Sequence, residues 1–260
     1  MTSKEPKLHL YVWSERFLYV GPSKATTLHR NHAAVWLNAP QGTMRVTLAD
    51  GTRLENSVVY LPSGTEYATE EVATSIAALF WEPESASFHR IVENFENVPR
   101  AFRCPHASID AWLMLQHPAT SLAEAGQLMA KVFGLEQTDL TDATPLDSYA
   151  DARVTTALTF LRESPQHYGS LEALAEMVHL SPSRFAHVFK SAVGVPVRRY
   201  VLWMKLRRAL DLAIAGNSLT TAALSAGFAD SAHLSRTVRA MMGVAPEFLF
   251  RHRERLVIHK

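Results

Sequence analysis

The 260-residue sequence contains a single cysteine, Cys104, which excludes an intramolecular disulfide and a cysteine-based metal cluster. It has no run of about 18 apolar residues, so no helix is expected to cross a membrane. Its first ten residues, MTSKEPKLHL, lack the apolar stretch of a signal peptide. Together these absences predict a soluble, cytoplasmic protein of one large or two ordinary domains.

An excess of one charge is also missing from the whole chain. The 26 Lys and Arg nearly balance the 25 Asp and Glu, for a net charge of +1, which argues against a polybasic or an acidic disordered protein. The balance nevertheless conceals two unlike halves. Residues 1–149 hold 11 Lys and Arg against 17 Asp and Glu, whereas residues 150–260 hold 15 against 8. This asymmetry suggests a nucleic-acid-binding module joined to a domain with another role.

Short β-rich segments separated by turn residues occupy the first part of the chain. Asp50-Gly51 between two of them is a strong signal for a two-residue hairpin turn, because both residues tolerate positive φ. Closely spaced strands of this kind predict a small antiparallel β-barrel or sandwich with flanking helices. The predicted strands are Leu8–Trp13, Phe17–Val20, Ala33–Leu37, Met44–Leu48, Ser57–Leu61 and Ile76–Trp81.

Helical spacing follows in Asp110–Gln116 and Leu122–Phe133. Ser121 and Glu124 form a capping box before the second helix, and Gly134 stands at the position of a C-terminal cap. The second helix has one apolar face, which covers the open side of the barrel, pairs with its twin in a dimer, or does both. That face consists of Leu122, Ala125, Leu128, Met129 and Val132.

The polar, acidic segment 136–150 contains Pro145 and has the composition of a linker. It divides the chain into an N-terminal domain, residues 1–135, and a C-terminal domain, residues 151–260.

An internal repeat marks the C-terminal domain. Five positions match five others 48 residues later, and after one inserted residue five more match at a distance of 49. The first set pairs Leu171, Leu174, Ala175, His179 and Leu180 with Leu219, Ala222, Ala223, Gly227 and Phe228. The second pairs Phe185, Phe189, Lys190, Gly194 and Val195 with Leu234, Val238, Arg239, Gly243 and Val244.

Each copy has the pattern of a helix-turn-helix. Ser170 and Ser218 cap the first helices, and Ser181-Pro182 and Asp230 open the second helices. The small residues Ala175 and Ala223 are expected where two helices cross. Gly227 suits a turn residue with positive φ, and His179 occupies the same place in the first copy.

The second helix of each copy, about residues 182–191 and 231–242, is expected to bury one stripe and expose the other. The buried stripes are Phe185, Val188, Phe189 and Ala192 in the first copy and Leu234, Thr237, Val238 and Met241 in the second. The outward faces are short, polar and cationic, as a helix in a DNA major groove requires. They present Ser183, Arg184, His187 and Lys190 in the first copy and Ala232, Ser235, Arg236 and Arg239 in the second.

A long helical pattern, residues 197–215, connects the two copies. At 1.5 Å per residue it spans roughly 28 Å, so two recognition helices joined by it could enter successive major grooves. Its basic side chains either contact phosphates or form a solvated face, and both interpretations stay open. These side chains are Arg198, Arg199, Lys205, Arg207 and Arg208, and the apolar positions are Tyr200, Val201, Met204, Ala209, Leu212 and Ala213.

The segments LAEMVHLSPSRFAHVFKSAVGVP (174–196) and IAGNSLTTAALSAGFADSAHLSRTVRAMMGVAPEFL (214–249) resemble the AraC/XylS-type bacterial transcription regulators. One departure is Val238, where that family more often has an aromatic residue. The resemblance implies base contacts from Ser183, Ala186 and His187 in the first recognition helix and from Ser231, Ala232, Ser235 and Arg236 in the second. Arg236 is the strongest candidate, because its side chain can donate two hydrogen bonds to guanine.

For the N-terminal half, the resemblance implies a cupin-like barrel that senses a small organic effector and assists dimerisation. A cupin metal site needs closely spaced histidines, but His29 and His32 would face opposite sides of a strand, and Tyr67 replaces the histidine of the second motif. We therefore expect no metal and no cofactor. The candidate ligand-binding residues are His29, His32, Trp36 and Tyr67.

The sequence thus favours a transcription regulator, not an enzyme, that binds double-stranded DNA as a homodimer and, if it is an activator, contacts RNA polymerase. One alternative is a cupin-type metalloenzyme with a helical appendage. A second is a DNA-repair fusion with Cys104 as methyl acceptor, although the residues around Cys104 do not support it, and a third is a nucleoid protein without an effector.

Overall fold

A computed structural model describes residues 7–72, 74–93, 96–104, 108–135, 151–164, 168–246 and 256–259. They divide into two compact units, one within 1–143 and 242–260 and the other within 144–241. The predicted linker, 136–150, lies outside the described residues.

The first unit is built mainly of strands. Its elements are β1 (Leu8–Val12), β2 (Arg16–Pro22), β3 (His29–Arg30), β4 (Ala34–Asn38), β5 (Met44–Leu48), β6 (Arg53–Asn56), β7 (Val58–Leu61), β8 (Glu66–Thr69), β9 (Ser75–Trp81), α1 (Ala86–Glu93), β10 (Arg100–Phe102), α2 (Ile109–Leu115), α3 (Leu122–Phe133) and β11 (Leu256–His259). Seven strands form one sheet in the order β10-β7-β4-β9-β2-β1-β11, and four form a second in the order β3-β8-β5-β6.

The sequence left a small antiparallel barrel and a sandwich open. The described strands form two sheets rather than a closed barrel, and β1 pairs with β11 in parallel. The large sheet is buried on both faces, and its strands alternate between two cores. Trp36 and Tyr60 pack with α2 and α3, whereas Val35, Val59 and Leu61 pack with residues of the small sheet. A strand that is buried on both faces is largely apolar along its whole length. Its sequence therefore lacks the alternation of apolar and polar residues that would indicate one buried and one exposed face.

The predicted hairpin at Asp50-Gly51 is confirmed, and it connects β5 to β6. Its loop has three residues rather than two. The Gly51 N–H donates to the Leu48 carbonyl and the Leu48 N–H donates to the Thr52 carbonyl. Only Gly51 has positive φ, 86°, so the geometry is that of a turn followed by a glycine bulge.

Helix α3 has its predicted bounds, and the predicted capping box is present. The Ser121 hydroxyl accepts from the Glu124 N–H, the Ser121 N–H donates to the Glu124 carboxylate, and Gly134 ends the helix at φ 69°. Of its predicted apolar face, Leu122 is partly buried and the other four residues are buried in the core. The apolar face of α3 therefore packs into the core of the sheet unit, and the dimer stays a prediction.

Strand β11 comes from the end of the chain, which the sequence assigned to the C-terminal domain. It extends the large sheet at the β1 edge, with Leu8 opposite Leu256 and Tyr11 opposite His259. Four residues with partly buried side chains give no local signal for this pairing, since the partner strand lies about 250 residues away.

The second unit consists of helices. They are α4 (Ala152–Glu163), α5 (Leu171–Met177), α6 (Pro182–Val193), α7 (Val197–Ile214), α8 (Leu219–Ser225) and α9 (Ser231–Met242). A core formed by α4, α5, α6 and the start of α7 includes Phe185, Phe189 and Tyr200. Among the described residues, no helix is long and apolar enough to cross a membrane.

Candidate functional site

The two predicted helix pairs, α5–α6 and α8–α9, have turns with the same hydrogen bonds. The Leu180 N–H donates to the Ala175 carbonyl over 2.9 Å, and in the second pair the Phe228 N–H donates to the Ala223 carbonyl over 2.9 Å. This bond from the second residue beyond the cap defines a Schellman turn. Ala175 and Ala223 are fully buried, as expected at a helix crossing.

The residue after each cap has left-handed backbone geometry. Gly227 has φ 80°, and His179, at the matching place, has φ 55°, the one positive φ outside glycine among the described residues. The expectation from the repeat is therefore confirmed for both turns, although only the second turn carries the residue that favours this conformation.

The starts of the helices also match. The hydroxyls of Ser170 and Ser218 accept from the N–H three residues later, and Ser181 does the same for α6. At the start of α9, Asp230 accepts from the His233 N–H over 2.6 Å. These caps satisfy orphan N–H groups and fix where α6 and α9 begin.

The predicted apolar stripes face inward. Phe185 and Phe189 are fully buried, Val188 and Ala192 pack against them at the edge of the core, and all four stripe residues of α9 are buried. Val238 is among these four, so its smaller side chain still fills a core position.

The outward residues lie on α6 and α9 as predicted. Ser183, Arg184, His187, Lys190, Ala232, Arg236 and Arg239 are exposed, whereas Ala186, Ser231 and Ser235 are partly buried. The Ser235 hydroxyl donates to the Ser231 carbonyl over 2.8 Å, which leaves its oxygen as an acceptor. Each helix thus presents small polar residues beside cations, a composition suited to base edges and phosphates.

An acidic residue lies within electrostatic range of one of these cations. Asp151 caps α4 and accepts two hydrogen bonds from the Arg153 guanidinium, at 2.9 and 2.7 Å. These bonds, with a contribution from the charge of Arg184 on α6, lower the pKa of Asp151 to about 2. Asp151 is therefore ionised at neutral pH, next to the start of the first predicted recognition helix.

Two cations of α7 have partners that the sequence did not reveal. Lys205 donates from Nζ to the Gly227 carbonyl over 3.0 Å, and Arg208 donates from Nε to the Ser225 carbonyl over 3.3 Å. Neither open interpretation of the basic side chains, phosphate contact or solvated face, included this role.

The four ligand candidates are all buried, in three different environments. His29 packs against Tyr67 with ring centroids 4.3 Å apart, and the Tyr67 hydroxyl accepts from the Asn31 amide over 2.6 Å. Burial lowers the pKa of His29 and raises that of Tyr67, so both are neutral at physiological pH.

The other two candidates lie elsewhere in the unit. His32 is fully buried with Nε2 3.1 Å from a Glu84 carboxylate oxygen. Trp36 packs against Tyr60 with ring centroids 4.4 Å apart, inside the core beneath the helices. His29 and Tyr67 therefore form a pair, whereas His32 and Trp36 each belong to a different environment.

Three features of this unit were missed in the sequence. His9 Nδ1 lies 3.4 Å from His259 Nε2 across the β1–β11 pair, and Ile109, Leu113 and Met114 of α2 are about half exposed. An open groove of about 350 Å³ is lined by Leu113, Met114, His117, Ala119, Thr120 and Glu124. The contact partners of β11 and the exposure of α2 depend on tertiary packing, about which hydrophobic periodicity in the sequence gives no information.

Candidates for other chemistry are less well placed. Within the described part of the chain, no three His, Cys, Asp or Glu side chains come close enough to hold a metal ion. Cys104 is partly buried and packs against the core beneath α2 and α3.

A family model described as "Helix-turn-helix domain" matches residues 174–252. Ada of Escherichia coli (strain K12), a bifunctional transcriptional activator and DNA repair enzyme, is 34% identical over 83 residues, 32% of this chain. Residues 174–252 are an AraC/XylS-type helix-turn-helix domain. The resemblance to AraC/XylS-type transcription regulators is thus confirmed, although the match spans only 23% of Ada.

Solved structures of ToxT from Vibrio cholerae have a similar fold over nearly the whole chain. An apo ToxT variant from strain SCE256 gives a TM-score of 0.58 at 11% identity, over 95% of this chain and 99% of ToxT. ToxT from strain O395 bound to (E)-4-(8-methylnaphthalen-1-yl)but-3-enoic acid gives 0.57 at 12% identity, over 92% and 100%. The chain therefore shares with ToxT a fold that combines an N-terminal sheet domain with a C-terminal helical domain.

Proposed function

We propose that this protein is a sequence-specific transcription regulator whose helices α6 and α9 occupy successive major grooves of duplex DNA. The observation that carries the proposal is the repeated Schellman turn, with Leu180 bonded to Ala175 and Phe228 bonded to Ala223. A shared turn sets a similar angle between the two helices of each pair, so the second helix of each projects in the same way.

The exposed residues supply different parts of recognition. Arg236 carries the guanidinium that can bond both acceptors of a guanine edge, whereas Ala186 and Ala232 offer methyl groups suited to thymine. Lys190 and Arg239 supply positive charge for phosphates.

The connecting helix has a suitable length. The 18 residues of α7 extend about 27 Å at 1.5 Å per residue, and successive major grooves on one face of DNA lie about 34 Å apart. The positive charge of this half, opposed to the acidic first half, favours DNA contact by the helical unit alone.

Selection from a random duplex pool with the full chain tests this proposal. We expect enrichment of a site with two short conserved blocks about one helical turn apart, and binding that weakens with a slope of about −0.9 in log K per neutralised phosphate. Arg236→Ala should cost about 1–3 kcal/mol on that site and relax one base position, whereas Lys131→Ala on α3 should change neither. Equal binding of selected and random DNA by wild type would refute sequence-specific binding.

We further propose that the N-terminal unit responds to a small organic effector and that the regulator is a homodimer, which contacts RNA polymerase if it is an activator. Two ToxT structures contain carboxylic acids with large apolar parts, an unsaturated fatty acid in one and a naphthyl butenoic acid in the other. Compounds of this class are therefore the first to test here. His29, Asn31 and Tyr67 provide a cluster of buried polar groups within this unit.

A thermal-shift titration with a long-chain unsaturated fatty acid and the matched alcohol tests the effector. A saturable rise in melting temperature with the acid, reduced by Tyr67→Phe, is expected, and equal responses to acid and alcohol would exclude carboxylate recognition. Sedimentation at increasing protein concentration tests the dimer, and a monomer at the highest concentration would remove it.

A further inference from the structure

Lys205 and Arg208 approach the carboxyl end of helix α8 from the side of α7. The Lys205 ammonium lies 3.0 Å from the Gly227 carbonyl, and its methylene carbon Cε lies 3.4 Å from the position where a Cβ on Gly227 would be. Arg208 bonds the Ser225 carbonyl one turn further along α7. Both cations therefore lie against the turn that leads into α9.

These two side chains bond carbonyls at the end of α8 and in the turn that follows it. The Ala223 carbonyl accepts from Phe228 and the Leu224 carbonyl accepts from Gly227, both through the backbone of the turn. The Ser225 and Gly227 carbonyls, which the turn itself does not satisfy, receive Arg208 and Lys205. Positive charge at this end also complements the helix dipole.

At the aligned positions of the first copy, the sequence has no cations. Positions 48 residues before Lys205 and Arg208 are Ala157 and Phe160 on α4, and neither side chain carries a donor. The matching turn residue is His179 instead of glycine. The two copies therefore share a backbone path, but the positions of Lys205 and Arg208 hold no cation in the first copy.

We infer that Lys205, assisted by Arg208, is a positioning residue that holds α9 in its DNA-binding orientation. This inference rests on the proposed function, because it concerns how the second recognition helix is presented. It assigns Lys205 to the protein rather than to the phosphate backbone. Removal of the Lys205 side chain should leave the number of phosphate contacts unchanged and loosen the orientation of α9.

The experiment compares Lys205→Gln with wild type, as full chains, on the duplex selected by wild type. Arg236→Ala and His187→Ala first show which half of the site α9 and α6 recognise. We expect Lys205→Gln to weaken binding on the order of fivefold, as for a lost helix-end cation. Single-base changes in the α9 half should then cost less than in wild type, with the α6 half unchanged.

The dependence on salt separates the two roles of a cation. A positioning residue leaves the slope of log K against log salt unchanged, whereas loss of a phosphate contact lowers it by about 0.9. Lys205→Arg, which keeps a donor and a charge, should restore both affinity and discrimination in the α9 half. Arg198→Gln, an exposed cation on the same helix, is the matched control, and it should leave discrimination in both halves unchanged.

Two results would overturn the inference. One is a reduced salt slope with base discrimination intact, which makes Lys205 a phosphate contact, and the other is no change in affinity. If Lys205→Gln does not fold, as judged by circular dichroism, Arg208→Gln removes the longer of the two bonds and should give the same pattern with a smaller amplitude. Failure of wild type to select any site would instead refute the proposed function, so the two failures are distinguishable.

Discussion

His179 and Gly227 have the same left-handed backbone geometry in two turns that differ in sequence, with φ of 55° and 80°. The hydrogen bonds around them are alike, so the turn is fixed by the helix pair and not by the residue in it. A residue with a Cβ is less stable in this conformation than glycine, and the first turn therefore retains a small strain.

Exchange of these residues tests that strain. His179→Gly should raise the free energy of unfolding by about 0.5–1 kcal/mol, since relief of the left-handed strain exceeds the extra chain entropy of glycine. Gly227→Ala should lower it by about 1 kcal/mol, because the φ there disfavours a side chain. Urea unfolding followed by circular dichroism measures both, and a stabilised Gly227→Ala would contradict the prediction.

The buried alanines at the two helix crossings give a second prediction. Ala175→Val and Ala223→Val should each destabilise the helical unit by about 1–3 kcal/mol, because both side chains are fully buried where two helices meet. Ala173→Val, an exposed position on α5, is the control for the helix propensity of valine. Equal effects at buried and exposed positions would show that the crossings have spare volume.

The capping box of α3 gives a third. Ser121→Ala removes the acceptor for the Glu124 N–H and should cost about 1 kcal/mol, whereas Ser121→Thr should be nearly neutral. Hydrogen bonds from Ser121 also lower the pKa of Glu124 in the folded protein. Their contribution to the free energy of unfolding is therefore present above the ordinary glutamate pKa of 4.5 and is lost as the pH falls below it. The difference between Ser121→Ala and wild type should therefore shrink in acid, as measured by thermal unfolding at several pH values.

The histidines of the β1–β11 pair give a fourth. Burial, together with the charges of His259, Lys7 and His117, lowers the pKa of His9 from 6.5 to about 4. The folded form thus binds fewer protons than the unfolded form in this window. The contribution of neutral His9 to the free energy of unfolding is fully present above pH 6.5 and falls as the pH decreases from 6.5 towards 4.

Hydrogen exchange of the β11 amides measures this dependence. Protection of residues 256–259 should decrease below pH 6.5 in wild type, after correction for the intrinsic exchange rate. His9→Phe keeps an aromatic ring beside Tyr11 and removes the titrating group, so its protection should depend less on pH. The same pH dependence in both proteins would assign the effect to another group.

The sequence predicted the helical unit more fully than the sheet unit, for reasons that particular residues make clear. Ser181-Pro182, Gly194 and the apolar stripes of α6 and α9 are local signals, and the bounds of these helices follow from them. The sequence did not predict helix α4, although Asp151 caps it. The polar, acidic segment before Asp151 has the composition of a linker, so the start of the helix was not recognised.

In the sheet unit the determining interactions are not local. Strands β3, β6, β8 and β10 have two to four residues, too few for a clear alternation. Trp36 was chosen as a ligand residue because its ring suits a pocket, but which of two cores a strand residue enters depends on what covers each face of the sheet. The hydrogen bond from Lys205 to the Gly227 carbonyl likewise connects α7 to the turn after α8. Hydrophobic periodicity gives no information about such a contact.

Strand β11 places a constraint on synthesis of the chain. The β1 edge of the large sheet receives its partner only after residues 256–259 leave the ribosome, by which time the whole helical unit has been made. Until then this edge presents unpaired backbone donors and acceptors to other nascent chains. The large sheet is therefore completed only after the helical unit has been made, and a chain truncated before residue 256 carries the helices attached to a sheet with an open β1 edge.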